Sequence, residues 1–263
     1  MYKVKVSLII SVYNDIEALG LILKSISLQT FAGKLEVIIA EDKQCVNLQD
    51  QVGKWRQQYI YPIKHINQAD LGFRKCKILN QAIRVVASGY IIFIDGDCVL
   101  HKNFVEAHLS HSKPGAVVYG RRVMLSSYLS NKVLQKQQFF WFKYFFLLVS
   151  GCKRLDAAWY LPFSKPEEKI GFWGHNWSIH LKDLKQVGGF DEAYEQAGIG
   201  EDTDIEWRLQ MRGIRFYRIK NKAIQYHLYH PSNYSNTLAV EKILADKKQA
   251  YLAGNQSVLL GSL

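Results

Sequence analysis

A succession of short apolar runs, separated by stretches whose apolar residues recur at helical spacing, constrains this chain more than any other feature. Val6 to Val12 is apolar apart from Ser7 and Ser11 and reads as a strand buried on both faces. Leu35 to Ala40 reads as a second such strand, Pro62 to Asn67 as a third and Tyr90 to Ile94 as a fourth. Between them, Ile16, Leu19, Leu23 and Ile26 mark one face of a helix. Asn14 is placed to cap it, with Glu17 completing a capping box. Residues from Val46 to Gln57 form a second helix; Leu79, Ala82, Ile83 and Val86 mark a third, which Gly89 ends. Strands alternating with helices imply right-handed crossovers, hence an α/β fold with a mostly parallel central sheet flanked by helices. Ligands of such sheets sit beyond the carboxyl ends of the strands. Polar residues gather at those ends: Ser11 to Asn14, Glu41-Asp42, Gln68 and Asp95-Gly96-Asp97.

Past residue 120 the alternation weakens. Tyr128 to Tyr160 is aromatic-rich and reads as helical or irregular, and Gly188-Gly189-Phe190-Asp191 as a turn. Asp202 to Gly213 reads as a helix, Arg215 to Ile219 and Ala223 to Tyr229 as strands, and the tail from Glu241 as a polar helix with a loose end. The 263 residues suit one large α/β domain or two functional halves.

The net charge of +11 points to an anionic partner: nucleic acid, an anionic membrane face or a phosphorylated substrate. Cys45, Cys76, Cys98 and Cys152 are widely spaced without a C-x-x-C, so they read as reduced thiols of a cytoplasmic protein, not as a zinc site or disulfide framework. The apolar run after Met1 stops at Asn14-Asp15, unlike a signal peptide. Phe139 to Val149, the most apolar later stretch, contains Lys143 and falls short of the about 20 residues a membrane span needs. With Lys132, Lys136, Lys153 and Arg154 nearby, it reads as an interfacial helix on anionic lipid or as a buried core or dimer helix.

Three local features carry candidate chemistry. Asp95-Gly96-Asp97 follows a buried strand, so its two carboxylates can face one cavity and hold a hard divalent cation that also grips a diphosphate. The glycine would let backbone approach the ligand, although Asp-Gly pairs also make ordinary turns. Gly200-Glu201-Asp202-Thr203-Asp204 opens a helix, where acidic residues favour the helix dipole; an Asp aimed into a cleft would instead accept a proton from a hydroxyl. His227 and His230 offer imidazoles suited to manganese or a similar ion.

Together these segments carry a resemblance. Val6-Ser-Leu-Ile-Ile-Ser-Val-Tyr-Asn14, Glu36-Val-Ile-Ile-Ala-Glu-Asp42, Gln68-Ala-Asp-Leu-Gly-Phe-Arg74 continuing to Asn80, and Ile91-Ile-Phe-Ile-Asp-Gly-Asp97 resemble family 2 glycosyltransferases of the GT-A fold. The resemblance is closest to the branch containing bacterial chondroitin-type polymerases. Gly189-Phe-Asp-Glu192, Gly200-Glu-Asp202 and His227 resemble the galactosyltransferase-like C-terminal half of that branch. It implies a nucleotide-sugar-binding half over 1–120, an acceptor-binding and catalytic half over 121–240, and a helical tail over 241–263. Ser11, Tyr13 and Asn14 would line the nucleotide pocket; Asp42 would bond a uracil edge, with Glu41 beside it. The family's usual Asp-Asp followed by Gly-Ser is here Glu41-Asp42-Lys43-Gln44, which alters the base contact. Gln68, Arg74 and Asn80 would hold the nucleotide and its phosphates, and Asp95 and Gly96, in the family's DXD motif, would meet the ribose. Asp97 and His227 would bind a divalent metal, Mn2+ or Mg2+; Asp202 would be the general base, and Glu201 would orient the acceptor. In Phe172-Trp-Gly-His-Asn-Trp-Ser178, which matches the family's acceptor-side strand, Trp173 or Trp177 would stack on the apolar face of the acceptor sugar while Asn176 bonds its hydroxyls; core packing of both tryptophans is the alternative, and acceptor contact is favoured for Trp173 and Asn176.

The implied activity is inverting transfer from a UDP-linked hexose or N-acetylhexosamine to a glycan hydroxyl, or to a lipid-linked glycan at the inner membrane face, in bacterial surface polysaccharide synthesis. A sugar nucleotidyltransferase is one rival, but the expected Gly-rich phosphate loop does not follow the first strand. A non-catalytic nucleic-acid-binding protein is another. The basic clusters Arg121-Arg122 and Lys220 to Lys222 are small and no reader motif is present, so no nucleic-acid partner is expected.

Overall fold

The computed structural model describes residues 4–196, 200–231 and 238–263. Its strands are β1 (Val6–Val12), β2 (Leu35–Glu41), β3 (Ile63–Asn67), β4 (Tyr90–Asp95), β5 (Cys98–Leu100), β6 (Ala116–Tyr119), β7 (Arg121–Met124), β8 (Glu167–Glu168), β9 (Asn176–His180), β10 (Arg215–Arg218) and β11 (Ile224–His227). The helices are α1 (Ile16–Ser27), α2 (Val46–Gln58), α3 (Lys75–Arg84), α4 (Phe104–Ser110), α5 (Ser127–Lys136), α6 (Tyr144–Val149), α7 (Leu181–Gln186), α8 (Glu201–Met211) and α9 (Leu238–Leu252). Eight strands form one sheet in the order β3-β2-β1-β4-β9-β6-β10-β8, and β5-β11-β7 form a small second sheet. The pairs β3-β2, β2-β1, β1-β4 and β6-β10 are parallel, whereas β9 runs antiparallel to both β4 and β6.

The central strands are apolar throughout because both sheet faces are covered. Leu8, Ile10, Val37, Ile39, Ile92 and Ile94 join a core with α1 residues Leu19, Ile22 and Leu23. The alternate residues Ile9, Ile38, Ile91 and Phe93 join a second core with Ile78, Leu79 and Ile83 of α3. Side chains alternate faces along a strand, so a strand between two helical layers needs an apolar residue at every position. Each buried aliphatic side chain contributes about 1.5–3 kcal/mol.

Several local expectations are corrected. Asp15, not Asn14, caps α1, accepting the Ala18 N–H at 2.9 Å. Helix α3 ends at Arg84, before Gly89. The C-terminal segment is docked, not loose: Gly261 N–H donates to Val187 O at 2.7 Å and Leu263 N–H to Gly188 O at 2.8 Å. Strands β5, β6 and β7 were not foreseen, since runs of three or four residues are too short to show a period.

Candidate functional site

At the carboxyl ends of β1 and β4 lies a cleft of about 760 Å³, lined among others by Ser11, Tyr13, Asn14, Asp42, Lys75, Asp95, Gly96, Asp97 and His230. A groove of about 860 Å³ at the opposite end, near Lys5, Gly89 and Tyr90, holds no comparable cluster of carboxylates and imidazoles. The smaller cleft is therefore the candidate site, at the edge where open α/β sheets bind ligands.

Gly96 makes the turn at its centre possible. Its N–H donates to Ser11 O at 2.7 Å, and a Cβ there would meet Ser11 O at 2.8 Å and Val12 Cγ2 at 2.9 Å. The close approach that requires glycine is thus to the end of β1. The turn feeds β5, whose antiparallel register with β11 sets Cys98 opposite His227, and Leu228 N–H donates to Asp97 O at 2.9 Å. Backbone pairing thereby brings distant imidazoles to the carboxylate. Asp97 Oδ2 lies 3.2 Å from His227 Nε2 and 3.2 Å from His230 Nε2. One donor atom from each residue falls within 4.8 Å of the others. Two imidazoles and a carboxylate form a donor set that fits a first-row divalent ion such as Mn2+ better than Mg2+, which prefers oxygen ligands.

Burial opposes ionisation of Asp97, but hydrogen bonds from His227 and His230 outweigh it and hold the carboxyl well below its usual range. The same hydrogen bond lifts His230 to about 9 against its partial burial. An imidazolium must lose its proton before it can ligate a metal, so Mn2+ affinity should rise with pH while His230 is still protonated. The expected slope is about tenfold per unit from about pH 7 towards 9, flattening above. Calorimetric Mn2+ titrations across this range check it; a flat affinity would exclude His230 as a ligand.

A second charged group adjoins the first. Lys75, at the start of α3, places Nζ 2.9 Å from Asp95 Oδ1 and 3.9 Å from Glu201 Oε1. Burial works against the Lys75 charge, yet Asp95 and Glu201 raise its pKa above the usual lysine value. Burial pushes Glu201 up to about 7; Lys75 pulls it down and Asp202 adds to the rise. Asp202 Oδ2 accepts the Gly174 N–H at 3.2 Å and Oδ1 the Thr203 N–H at 2.9 Å. Ser11, Lys75, Asp95, Gly174, Glu201 and Asp202 line a small adjoining cavity of about 10 Å³, which shares Ser11, Lys75 and Asp95 with the cleft. Fully buried Asp204 fixes the start of α8 there: Arg208 Nε donates to it at 2.7 Å, and Arg208 Nη1 donates to Val187 O at 2.7 Å and Gly189 O at 2.8 Å.

Lys75 escaped the sequence reading, though it left a signal: a lysine in the first turn of a helix opposes the helix dipole and calls for a nearby anion. Lys75→Met should cost about 2 kcal/mol, because it leaves clustered carboxylates without their buried counter-ion. Urea unfolding measures this; an unchanged midpoint would mean that solvent already screens the group.

The remaining candidates divide. Tyr13, half-exposed at the rim, donates its hydroxyl to Asp70 at 2.9 Å. Asp42 accepts Gln68 Nε2 at 2.6 Å and the Arg74 N–H at 2.7 Å, so Gln68 and the Arg74 backbone brace it from behind. The Arg74 guanidinium donates to Ala69 O. Glu41 does not reach the cleft: it is fully buried, bonded to His65 at 2.8 Å and to the Cys45 N–H at 2.9 Å. Nor does Asn80, whose buried amide bonds both the N–H and the carbonyl of Phe190 at 2.9 Å. Asn176 is also fully buried, donating to Ala223 O at 3.0 Å and meeting His108 Nε2 at 3.0 Å, so it stiffens β9 and offers nothing to a sugar. Trp177 is core, stacked on Phe93 with ring centroids 4.4 Å apart, whereas Trp173 is partly exposed.

Residues 7–165 match the family model described as glycosyl transferase family 2, and residues 90–256 match glycosyl transferase family group 2. The chain belongs to glycosyl transferase family 2. It is 24% identical over 256 residues to a chondroitin synthase of Pasteurella multocida (strain Pm70), covering 89% of this chain and 26% of the synthase. This family member therefore spans about a quarter of that relative and lies close to the chondroitin-polymerase branch. Its fold resembles that of GalNAc-T7 with UDP, GalNAc and Mn2+, at TM-score 0.66 and 12% identity, covering 92% of this chain and 47% of that one. It also resembles a mannosyltransferase from Pyrobaculum calidifontis in complex with GDP-Man and Mn2+, at TM-score 0.59 and 15% identity, covering 97% and 66%. Both likenesses concern the GT-A fold.

Proposed function

We propose that this family 2 chain is a metal-dependent inverting glycosyltransferase, moving a hexose or N-acetylhexosamine from a UDP-linked donor to a glycan hydroxyl in bacterial surface polysaccharide synthesis. The observation that carries this reading is the adjacency of two groups at one edge of the sheet: Asp97 with His227 and His230, at the cleft, and Lys75 with Asp95, Glu201 and Asp202, which line the small cavity beside it. In this reading residues 1–120 hold the donor, residues 121–240 supply the acceptor side and the base, and residues 241–263 form the helical tail.

Asp97, His227 and His230 would hold the ion, manganese in preference to magnesium. When bound, it offsets the negative charge on the departing diphosphate. Ser11, Tyr13 and Asn14 contact the nucleoside, Tyr13 offering a ring at the rim, and Asp42 takes the base edge. Asp95 reaches the ribose while its contact with Lys75 fixes its rotamer. Asp202 takes the proton of the acceptor hydroxyl as the new C–O bond forms and the bond to the diphosphate oxygen breaks. Attack opposite the leaving group inverts the anomeric carbon in one displacement, with no covalent sugar–enzyme intermediate. Glu201, held at about 7, is partly protonated at neutral pH and can donate to an acceptor oxygen, consistent with orienting it. A panel of nucleotide sugars with Mn2+ and with chelator tests the reading. The expected product is a nucleoside diphosphate, formed only with metal. Release of pyrophosphate would make the chain a nucleotidyltransferase, and full turnover in chelator would end the metal assignment.

We further propose peripheral membrane contact, which would suit a lipid-linked glycan acceptor. Among the described residues no helix is long and apolar enough to cross a membrane. Around α6, however, Phe140, Phe145, Leu148 and Val149 are exposed by 49–66%. Lys143 Nζ sits 4.4 Å from the Phe140 ring centroid and Lys132 Nζ 3.9 Å from that of Trp141. Cations interleaved with exposed aromatics suit anionic lipid. Sedimentation with phosphatidylglycerol vesicles at low salt should capture the protein, and Phe145→Ser should weaken capture several-fold. Indifference to such vesicles would remove the idea.

A further inference from the structure

Near Gly174 lies a recess of about 300 Å³ whose charged and aromatic lining is Arg121, Arg122, Arg154, Arg218, Lys220 and Trp173, with Asp156 as its one carboxylate. Arg218 pairs with Glu167 and Lys220 with Asp156. Among the described residues, Arg121, Arg122 and Arg154 make no ion pair with a carboxylate. Arg121 Nη1 and Arg122 Nε are buried without a hydrogen-bond partner. The guanidiniums of Arg121 and Arg154 lie 4.9 and 4.4 Å from the Trp173 ring centroid. The Arg121 and Arg154 pKa values fall, chiefly through partial burial but also through neighbouring arginines, Arg218 for the first and Arg122 and Arg121 for the second; burial also opposes the Arg122 charge, but Cys98, Asp95 and Asp97 raise its pKa. Arg154 moreover holds a left-handed backbone at φ 58°, a conformation disfavoured by about 1–2 kcal/mol for a residue with a Cβ. Such an arrangement gains when an anion enters, because a planar guanidinium can donate two parallel hydrogen bonds to a carboxylate or phosphate.

The recess adjoins the reacting groups. Trp173 directly precedes Gly174, whose N–H donates to Asp202 at 3.2 Å. Arg122 lies within electrostatic reach of Asp95 and Asp97.

We propose that this recess is an acceptor subsite for an anionic substituent, either the carboxylate of an acidic sugar or a phosphate. The proposal rests on the transferase reading only for the word acceptor; anion binding is measurable without turnover. The same geometry changes the role expected of Trp173: its ring shares its surroundings with guanidiniums, so it braces the cations that read charge.

Binding to the intact protein by calorimetry at low salt tests this, with methyl β-glucuronide, methyl β-glucoside and inorganic phosphate as probes. The glucuronide or phosphate should bind and the neutral glucoside should not, and added salt should weaken binding. A preference for glucuronide identifies the source as an acidic sugar, and a preference for phosphate identifies a phosphorylated acceptor. Arg154 is exposed, so Arg154→Gln should fold normally and weaken the anion by about tenfold. Arg154→Lys should recover part of the loss. Binding of UDP with Mn2+ is followed in parallel: its absence in the wild-type protein counts against the donor site and leaves the subsite standing. Equal binding of glucoside and glucuronide, or anion binding unaltered by Arg154→Gln, overturns the proposal.

Discussion

Asp202→Asn is expected to lower sugar transfer by about 10²–10⁴-fold while leaving binding of the nucleotide donor within about twofold, since general-base catalysis contributes rate enhancements of that order. The substitution is close to isosteric. The carboxylate now accepts backbone N–H groups from Gly174 and Thr203; the amide oxygen can keep one of these bonds, but the amide nitrogen cannot take up a proton. A carboxylate also adds charge to a group that already holds Asp95 and Glu201 beside Lys75, so its loss should not unfold the protein. The comparison with Glu201→Gln matters as much. Burial lifts Glu201 to about 7, which makes it a partial donor at neutral pH and a weaker candidate for taking a proton. Glu201→Gln should therefore act mainly on the acceptor KM. Single-turnover assays with saturating donor separate the two; a larger fall in kcat for Glu201→Gln than for Asp202→Asn would reassign the base.

Asp97→Asn should lower Mn2+ affinity by about 100-fold or more, and metal-dependent donor binding should fall with it. Substituting a mere outer-sphere partner of a metal site already costs about 10–100-fold, and Asp97 is the charged member of this donor set. It is also the anion that draws His227 and His230 together at 3.2 Å each. Without it the imidazoles lose their shared acceptor and their fixed orientation. His230→Ala should cost less, about 10–100-fold, because His227 is held by the backbone pairing of β11 with β5. Electron paramagnetic resonance of free Mn2+ gives the affinities directly. Undiminished Mn2+ binding in Asp97→Asn would place the metal elsewhere in the molecule.

The N-terminal half was largely legible before any coordinates. A strand buried on both faces must be apolar at every position, so Val6 to Val12 and Tyr90 to Ile94 announced a helix-covered sheet, and the polar residues after them marked its carboxyl edge. The resemblance to family 2 glycosyltransferases rested on those same segments, and the family match and the GT-A fold agree with it. The C-terminal half was less legible. Strands β6 and β7, four residues each, are too short for periodicity to show. Glu41, Asn80 and Asn176 lay in family-like segments, and only burial with filled hydrogen bonds shows that their side chains serve the scaffold.

For β1 to β4 and the helices between them the sequence by itself determined the layers: which runs become strands, which become helices, and that the polar tips of β1, β2 and β4 share one edge, because these follow from local period and burial. Tertiary structure alone decided which charges meet. His227 and His230 reach Asp97 through the register of β11 on β5, Lys75 enters the carboxylates through the packing of α3, and Arg121 and Arg154 meet over Trp173. Such meetings join residues far apart in the chain. No local period encodes the distance between them, and only the assembled sheets and helices fix it.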